Sequence, residues 1–146
     1  MANLTFVSYD CFIEDVMEGV HNFGANTFKI ALTNTAPTVA TDDELIDITE
    51  ISEGNGYTAG GNAVTVTSSS QSSGTYSWVI TNDVTFTASG GTMATWRYIV
   101  LYNDSATNDE LICYWDSGSA QSLEAGESYT CDISGATLLS GTCTAS

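Results

Sequence analysis

Positive charge is almost absent from this chain: Lys29 and Arg97 stand against eighteen carboxylates in 146 residues, a formal net charge of −16. Phosphate backbones are bound by Lys and Arg that displace condensed counterions, so nucleic acid is excluded as a partner, and anionic lipid with it. Histidine occurs once, at His21. Any Ser-His-Asp arrangement must pass through it, and no GxSxG elbow supplies the serine. A capping or hydrogen-bonding role after a helix, whose negative end favours a cation, accounts for His21 without catalysis. No Walker loop is present, and no GxGxxG follows a strand, which leaves nucleotide binding without support.

Long apolar runs are missing as well. No stretch approaches the roughly eighteen apolar residues that a membrane helix needs, and MANLTFVSYD lacks the basic region and apolar core of an export leader. The expectation is a mature chain that starts near Met1 and is made in a cytosol. Cys11, Cys113, Cys131 and Cys143 form no CxxC pair, so zinc is not expected. Cys113 and Cys131 lie in apolar, strand-like runs and are most simply core residues. A Cys131–Cys143 bridge would tie down the tail; spacing leaves it open, and a cytosolic origin argues against it.

What the chain does contain is an ordinary globular share of apolar side chains, 42% hydrophobic and 10% aromatic. The acids therefore decorate a folded surface and do not mark a disordered chain. They favour solubility, and they suit a basic partner or saline surroundings. The length fits a single domain over residues 1–146.

Asp10 can cap a helix of about ten residues over CFIEDVMEGV, in which Phe12, Val16 and Val20 share one face and Glu14, Asp15 and Glu18 the other. TFKIALT then alternates as a half-buried strand through Phe28, Ile30 and Leu32. Loop residues surround the only proline, Pro37, and a short helical turn is expected after Thr41, with Thr41 and Glu44 as its capping box. Gly54, Gly56, Gly60 and Gly61 flank Tyr57, which predicts a loop in left-handed backbone anchored by one aromatic ring. From there the chain reads strand upon strand: NAVTVTSSS, GTYSWVITN, DVTFTAS, TMATWRYIVLYN, ELICYWDSG and ESYTCDIS. The stretch Ser68 to Ser73 is expected to be a mobile surface loop. WRYIVLYN is apolar on both faces, as a covered central strand requires, and YNDSATNDE reads as the loop of an antiparallel hairpin. The fold class expected is all-β, mainly antiparallel: a jelly-roll-like β-sandwich with one short N-terminal helix. Residues 1–9 form either an N-terminal arm or an edge strand, and residues 133–146 a tail whose docking is open.

Chemistry is thinly supplied. Carboxylate pairs perform glycoside hydrolysis, but eighteen acids make pairs unavoidable. Trp78, Trp96 and Trp115 sit inside strand-like runs, where packing explains them better than a sugar platform. Two acidic groups suit calcium by composition: Asp42, Asp43, Glu44 and Asp47, and Asn103, Asp104, Asn108 and Asp109. Neither follows the EF-hand pattern, and a solvated acidic face explains both. No catalytic residue, metal or cofactor is expected.

The run HNFGANTFKIALTNTAPT, an acidic stretch, and then ISEGNGYTAGGNAVTVT together resemble a group of small tailed-bacteriophage virion proteins. The likeness rests on His21, Asn22 and Phe23, on Thr27 through Leu32, and on Gly56 through Gly61; WRYIVLYND followed by LICYWD is similar too. It spans roughly the first four-fifths of the chain, and ESYTCDISGATLLSGTCTAS departs from it. The resemblance implies a structural protein of the virion, a decoration or cement protein on the outer capsid. Its partner would be the major capsid protein, and it would assemble as a homo-oligomer, a trimer, after synthesis in the host cytoplasm. A phage tail or head-fibre component, or a carbohydrate-binding adhesin module, is the alternative. Leu4, Phe6 and Tyr9 of the N-terminal segment, with Tyr57, are the expected partner contacts, although the same segment suits pairing within its own sheet.

Overall fold

The computed structural model describes residues 5–80, 84–131, 133 and 136–142. In chain order the elements are β1 (Thr5–Ser8), α1 (Phe12–Met17), β2 (Phe28–Thr33), a 3₁₀ turn (Leu45–Asp47), β3 (Asn62–Ala63), β4 (Val66–Ser72), β5 (Thr75–Ile80), β6 (Val84–Thr87), β7 (Trp96–Asn103), β8 (Leu111–Gln121), β9 (Ser128–Cys131) and β10 (Ala136–Thr142). Every strand pair is antiparallel. The strands form a five-stranded sheet, β1-β8-β7-β2-β3, a three-stranded sheet, β10-β5-β4, and the pair β6-β9. The protein is thus all-β with one short helix, in a sandwich-like arrangement; the strand order does not establish jelly-roll connectivity.

Alternation along β2 and β7 decides where the core sits. Phe28, Ile30 and Leu32 of β2 and Ile99 and Leu101 of β7 point to one side, where they meet Trp78 and Ile80 of β5 and Val84 and Phe86 of β6. Ala31, Val100 and Tyr102 point to the other side and meet Tyr9, Ile48 and Leu111, with Val39 and Leu45 packed over them. The five-stranded sheet is therefore covered on both faces, by the smaller sheets on one and by the loop segment 34–50 on the other. This is why WRYIVLYN carries apolar side chains at consecutive positions. The turn YNDSATNDE joins β7 to its antiparallel neighbour β8, as its composition predicts.

Several expectations need correction. The helix is six residues long and not ten, and Cys11, not Asp10, is its N-cap, with no side-chain cap bond. Gly19, at φ +81°, ends it in the left-handed conformation that suits glycine, so Val20 lies beyond the helix. The capping box sits three residues later than expected: Glu44 caps the 3₁₀ turn with Asp47, whose carboxylate accepts from the Asp43 and Glu44 amides at 3.1 and 3.2 Å. Ser68 to Ser72 are not a mobile loop but strand β4, paired with β5; only Ser73 and Gly74, at φ 51° and 79°, form the turn. Positive φ at both central residues is the hairpin geometry whose twist matches its strands. NAVTVTSSS divides into β3 and β4. Residues 5–8 are an edge strand paired with β8, and the tail contributes β10, paired with β5.

Candidate interaction surface

His21 was the one side chain able to anchor general acid–base chemistry, and the fold commits it to structure. It is 6% exposed, between Phe12 and Phe23. Its Nδ1 accepts from Asn103 Nδ2 at 3.1 Å, and burial pushes its pKa down to about 4. The ring is therefore neutral at pH 7 and protonated on Nε2, which lies 3.9 Å from Asp15, beyond hydrogen-bond reach. The cation expected after the helix is absent. Asn103 is the centre of this joint: it donates to Asn26 Oδ1 at 2.9 Å and to the Val20 carbonyl at 3.3 Å, and accepts from the Ser105 amide at 3.1 Å.

The glycine loop is a second joint. Tyr57 is 2% exposed, donates to Glu50 at 2.5 Å and accepts from the Leu32 amide at 3.1 Å. Glu50 also accepts from the Gly60 amide at 2.8 Å, and Tyr102 donates to the Gly60 carbonyl at 2.7 Å. A Cβ on Gly61 would stand 1.7 Å from the Ile30 carbonyl oxygen, and one on Gly56 2.0 Å from that of Thr87. Glycine is required at both because backbone touches backbone. The phenol pKa of Tyr57 is pushed far up, by burial first and then by the Glu50 hydrogen bond, so it stays a donor.

The expected contact residues fall in different places. Leu4 lies outside the described residues, as does Cys143. Phe6 sits in β1 opposite Trp115. Tyr9 is 1% exposed in the cluster on the outer side of the main sheet. Tyr9 and Tyr57 thus serve the interior and offer no surface to a neighbour, a correction to their expected role. Trp78, Trp96 and Trp115 are all buried, and so are Cys113 and Cys131, which are free thiols. Burial pushes the Cys131 thiol up to about 12, which makes it inert. Among the described residues no three His, Cys, Asp or Glu side chains are grouped to hold a metal ion.

What remains available on the surface was not anticipated. Ile13 and Met17 are 65% and 80% exposed, one turn apart on α1. Beside them opens a cleft of about 650 Å³, lined by Phe12, Val16, His21, Phe23, Gly24 and Tyr76. The sequence carried a signal for it: apolar residues at 12, 13, 16 and 17 form a stripe too wide for a six-residue helix to bury. A shallower recess of about 600 Å³ lies by the 3₁₀ turn, between Leu45, Ile46, Ile48, Glu50 and Asp109, with Ile46 86% exposed.

The field around both is negative. Lys29 pairs with Asp104 at 2.7 Å, and Arg97 forms a two-bonded fork with Asp116 at 2.7 and 2.8 Å. Both cations are spent within the chain. Asp15 is held above the usual carboxylate range by burial and by Glu110, Glu14 and Asp43, and Asp109 by burial and Asp104. No protein-family model, no curated protein and no solved structure matches the chain.

Proposed function

We propose that this chain is a structural protein of a tailed-bacteriophage virion, a decoration or cement protein that binds the outer shell and stabilises contacts between major capsid subunits. The observation that carries the reading is the pair Ile13 and Met17 beside an open apolar cleft, on a scaffold whose His21, Tyr9, Tyr57, Tyr102, three tryptophans and two cations are committed to holding itself together. Such a molecule has an apolar surface to offer a partner. Binding only to the assembled shell then favours assembly by mass action. The residues that carry the sequence resemblance fit the same picture: His21, Phe23, Phe28, Ile30 and Leu32, with the glycines around Tyr57, are its joints and core. The chain acts as a homo-oligomer, a trimer, on the capsid surface, with the major capsid protein as partner and no cofactor.

The adhesin alternative has less to stand on, because all three tryptophans are buried and form no exposed sugar platform. Electron microscopy of the particle that carries this chain tests the proposal. Density over the junctions between capsid subunits is expected. Density confined to the tail or to fibres would overturn the cement role, as would His21-dependent turnover of a substrate by the purified protein.

A further inference from the structure

Charge is distributed unevenly through the fold. No Asp, Glu, Lys or Arg occurs from residue 54 to 82. Consequently β4 and β5 carry no charge, and neither does β10, so the whole three-stranded sheet is neutral in a protein of net charge −16. The open face of β4 and β5 is mostly hydroxylic: Ser68, Ser70 and Ser72 lie opposite Val79, Ser77 and Thr75. Ten of the eighteen acids precede residue 54, in α1 and in the segments that cover the outer side of the main sheet.

Among the described residues, no strand covers either outer edge of this sheet. Elsewhere, edge strands are short, with four residues in β1, β6 and β9 and two in β3. Shortness, charge and proline are the usual devices against edge-to-edge pairing. β4 has seven residues, neither charge nor proline, and a register shift only between Val66 and Ser68. Among the described strands none but β5 pairs with it. β10, at the far edge, is also seven residues and neutral.

We propose that the β4 edge, over Ser68–Ser72, is where a second copy of this chain attaches by strand addition, using a long edge of its own three-stranded sheet. Two acidic copies repel wherever their carboxylates meet, and the strands of this sheet carry none, the acids of α1 lying across the cleft that Ser69 and Tyr76 also line. The backbone of an open strand supplies the attraction. Pairing of β4 with β10 of the next copy builds a ring, which three copies can close into the proposed trimer, whereas β4 paired with β4 would stop at a two-fold dimer. The inference stands apart from the placement on a virion, because it holds or fails in purified protein.

The test is the mass of the full chain by sedimentation over a concentration series, for the wild type, Ser70→Glu and Thr85→Glu. Ser70 and Thr85 are both exposed strand residues, and Thr85 lies on the β6-β9 pair, away from the proposed contact. Self-association of the wild type is expected, weakened about tenfold or more by Ser70→Glu and unchanged by Thr85→Glu. Hydrogen exchange on the wild type gives a second reading that needs no variant: the amides within Ser68–Ser72 that point away from β5 gain protection as concentration rises. A wild type that stays monomeric overturns the proposal. So does an oligomer that Ser70→Glu leaves intact, or one whose β4 amides exchange at the same rate at every concentration.

Discussion

In the five-stranded sheet, β2 and β7 are covered on both faces and carry the two cations, Lys29 and Arg97, each paired with a carboxylate. In the three-stranded sheet Tyr76, Trp78 and Ile80 of β5 reach the core, and the other face of β4 and β5 presents five hydroxyls, Val79 and no charge. The same antiparallel pairing thus builds two unlike surfaces. Doubly covered strands depend on tight joints, because the side chains of β2 and β7 meet neighbours on both faces. A singly covered sheet tolerates change on its open side. An acidic protein that must meet its own copies gains from keeping its carboxylates off one layer.

The sharpest way to break this contrast is at the joint between the glycine loop and β2. Gly61→Ala puts a methyl group against the Ile30 carbonyl in a left-handed backbone, and should lower unfolding free energy by about 4 kcal/mol or more in denaturant titration. Ser70→Ala on the open face of β4 should change it by less than about 0.5 kcal/mol. Equal losses would erase the distinction between the sheets. Asn103→Ala strips partners from buried His21 and from Asn26, and a loss of about 3 kcal/mol is expected in the same titration.

A pH series sharpens the comparison further. His21 has its folded pKa lowered from 6.5 to about 4 by burial, so the unfolded chain takes up its proton first as the solution is acidified. Its contribution is fully present above pH 6.5, is lost as pH falls to about 4, and amounts to roughly 3 kcal/mol. Asp15, whose pKa is raised, works in the opposite sense, because the folded state binds that proton more readily. The stability curve of His21→Gln should therefore be flatter than the wild type between those two pH values; parallel curves would show that the ring is not the group responsible. The smallest effect on stability is expected from Ile13→Ser with Met17→Ser, within about 0.5 kcal/mol because both side chains are exposed. On the proposed cement role, the same pair should weaken co-sedimentation of the protein with capsid particles.

Much of the fold was legible because periodicity speaks for elements that bury one face or two. β2, β5, β6 and β7 fall where alternation or continuous apolar runs predict them, and Tyr57 anchors its loop as four glycines around one aromatic suggest. Ser68 to Ser72 were misread because serine signals a loop by composition, while their pairing with β5 is a tertiary fact that composition does not carry. The helix was overextended because Val20 keeps the four-residue spacing, although Gly19 stops the turn before it. The surface was the least legible part. Tyr9 and Tyr57 look like contact residues by type, yet their rings fill the interior, while Ile13, Met17 and Ile46 look like core residues and face solvent. Burial of a single residue depends on what the rest of the chain places over it, and no local pattern encodes that.

The positions of Lys29 and Arg97 have one more consequence. Trypsin cleaves only after these two residue types, and the chain offers it two bonds, both within strands of the five-stranded sheet. Lys29 is paired on one side with Ala63 and on the other with Tyr102, and the Arg97 carbonyl accepts from Ser117 Oγ at 2.8 Å. Neither bond can enter a protease cleft until its strand leaves the sheet, so tryptic digestion reports the opening of β2 and β7.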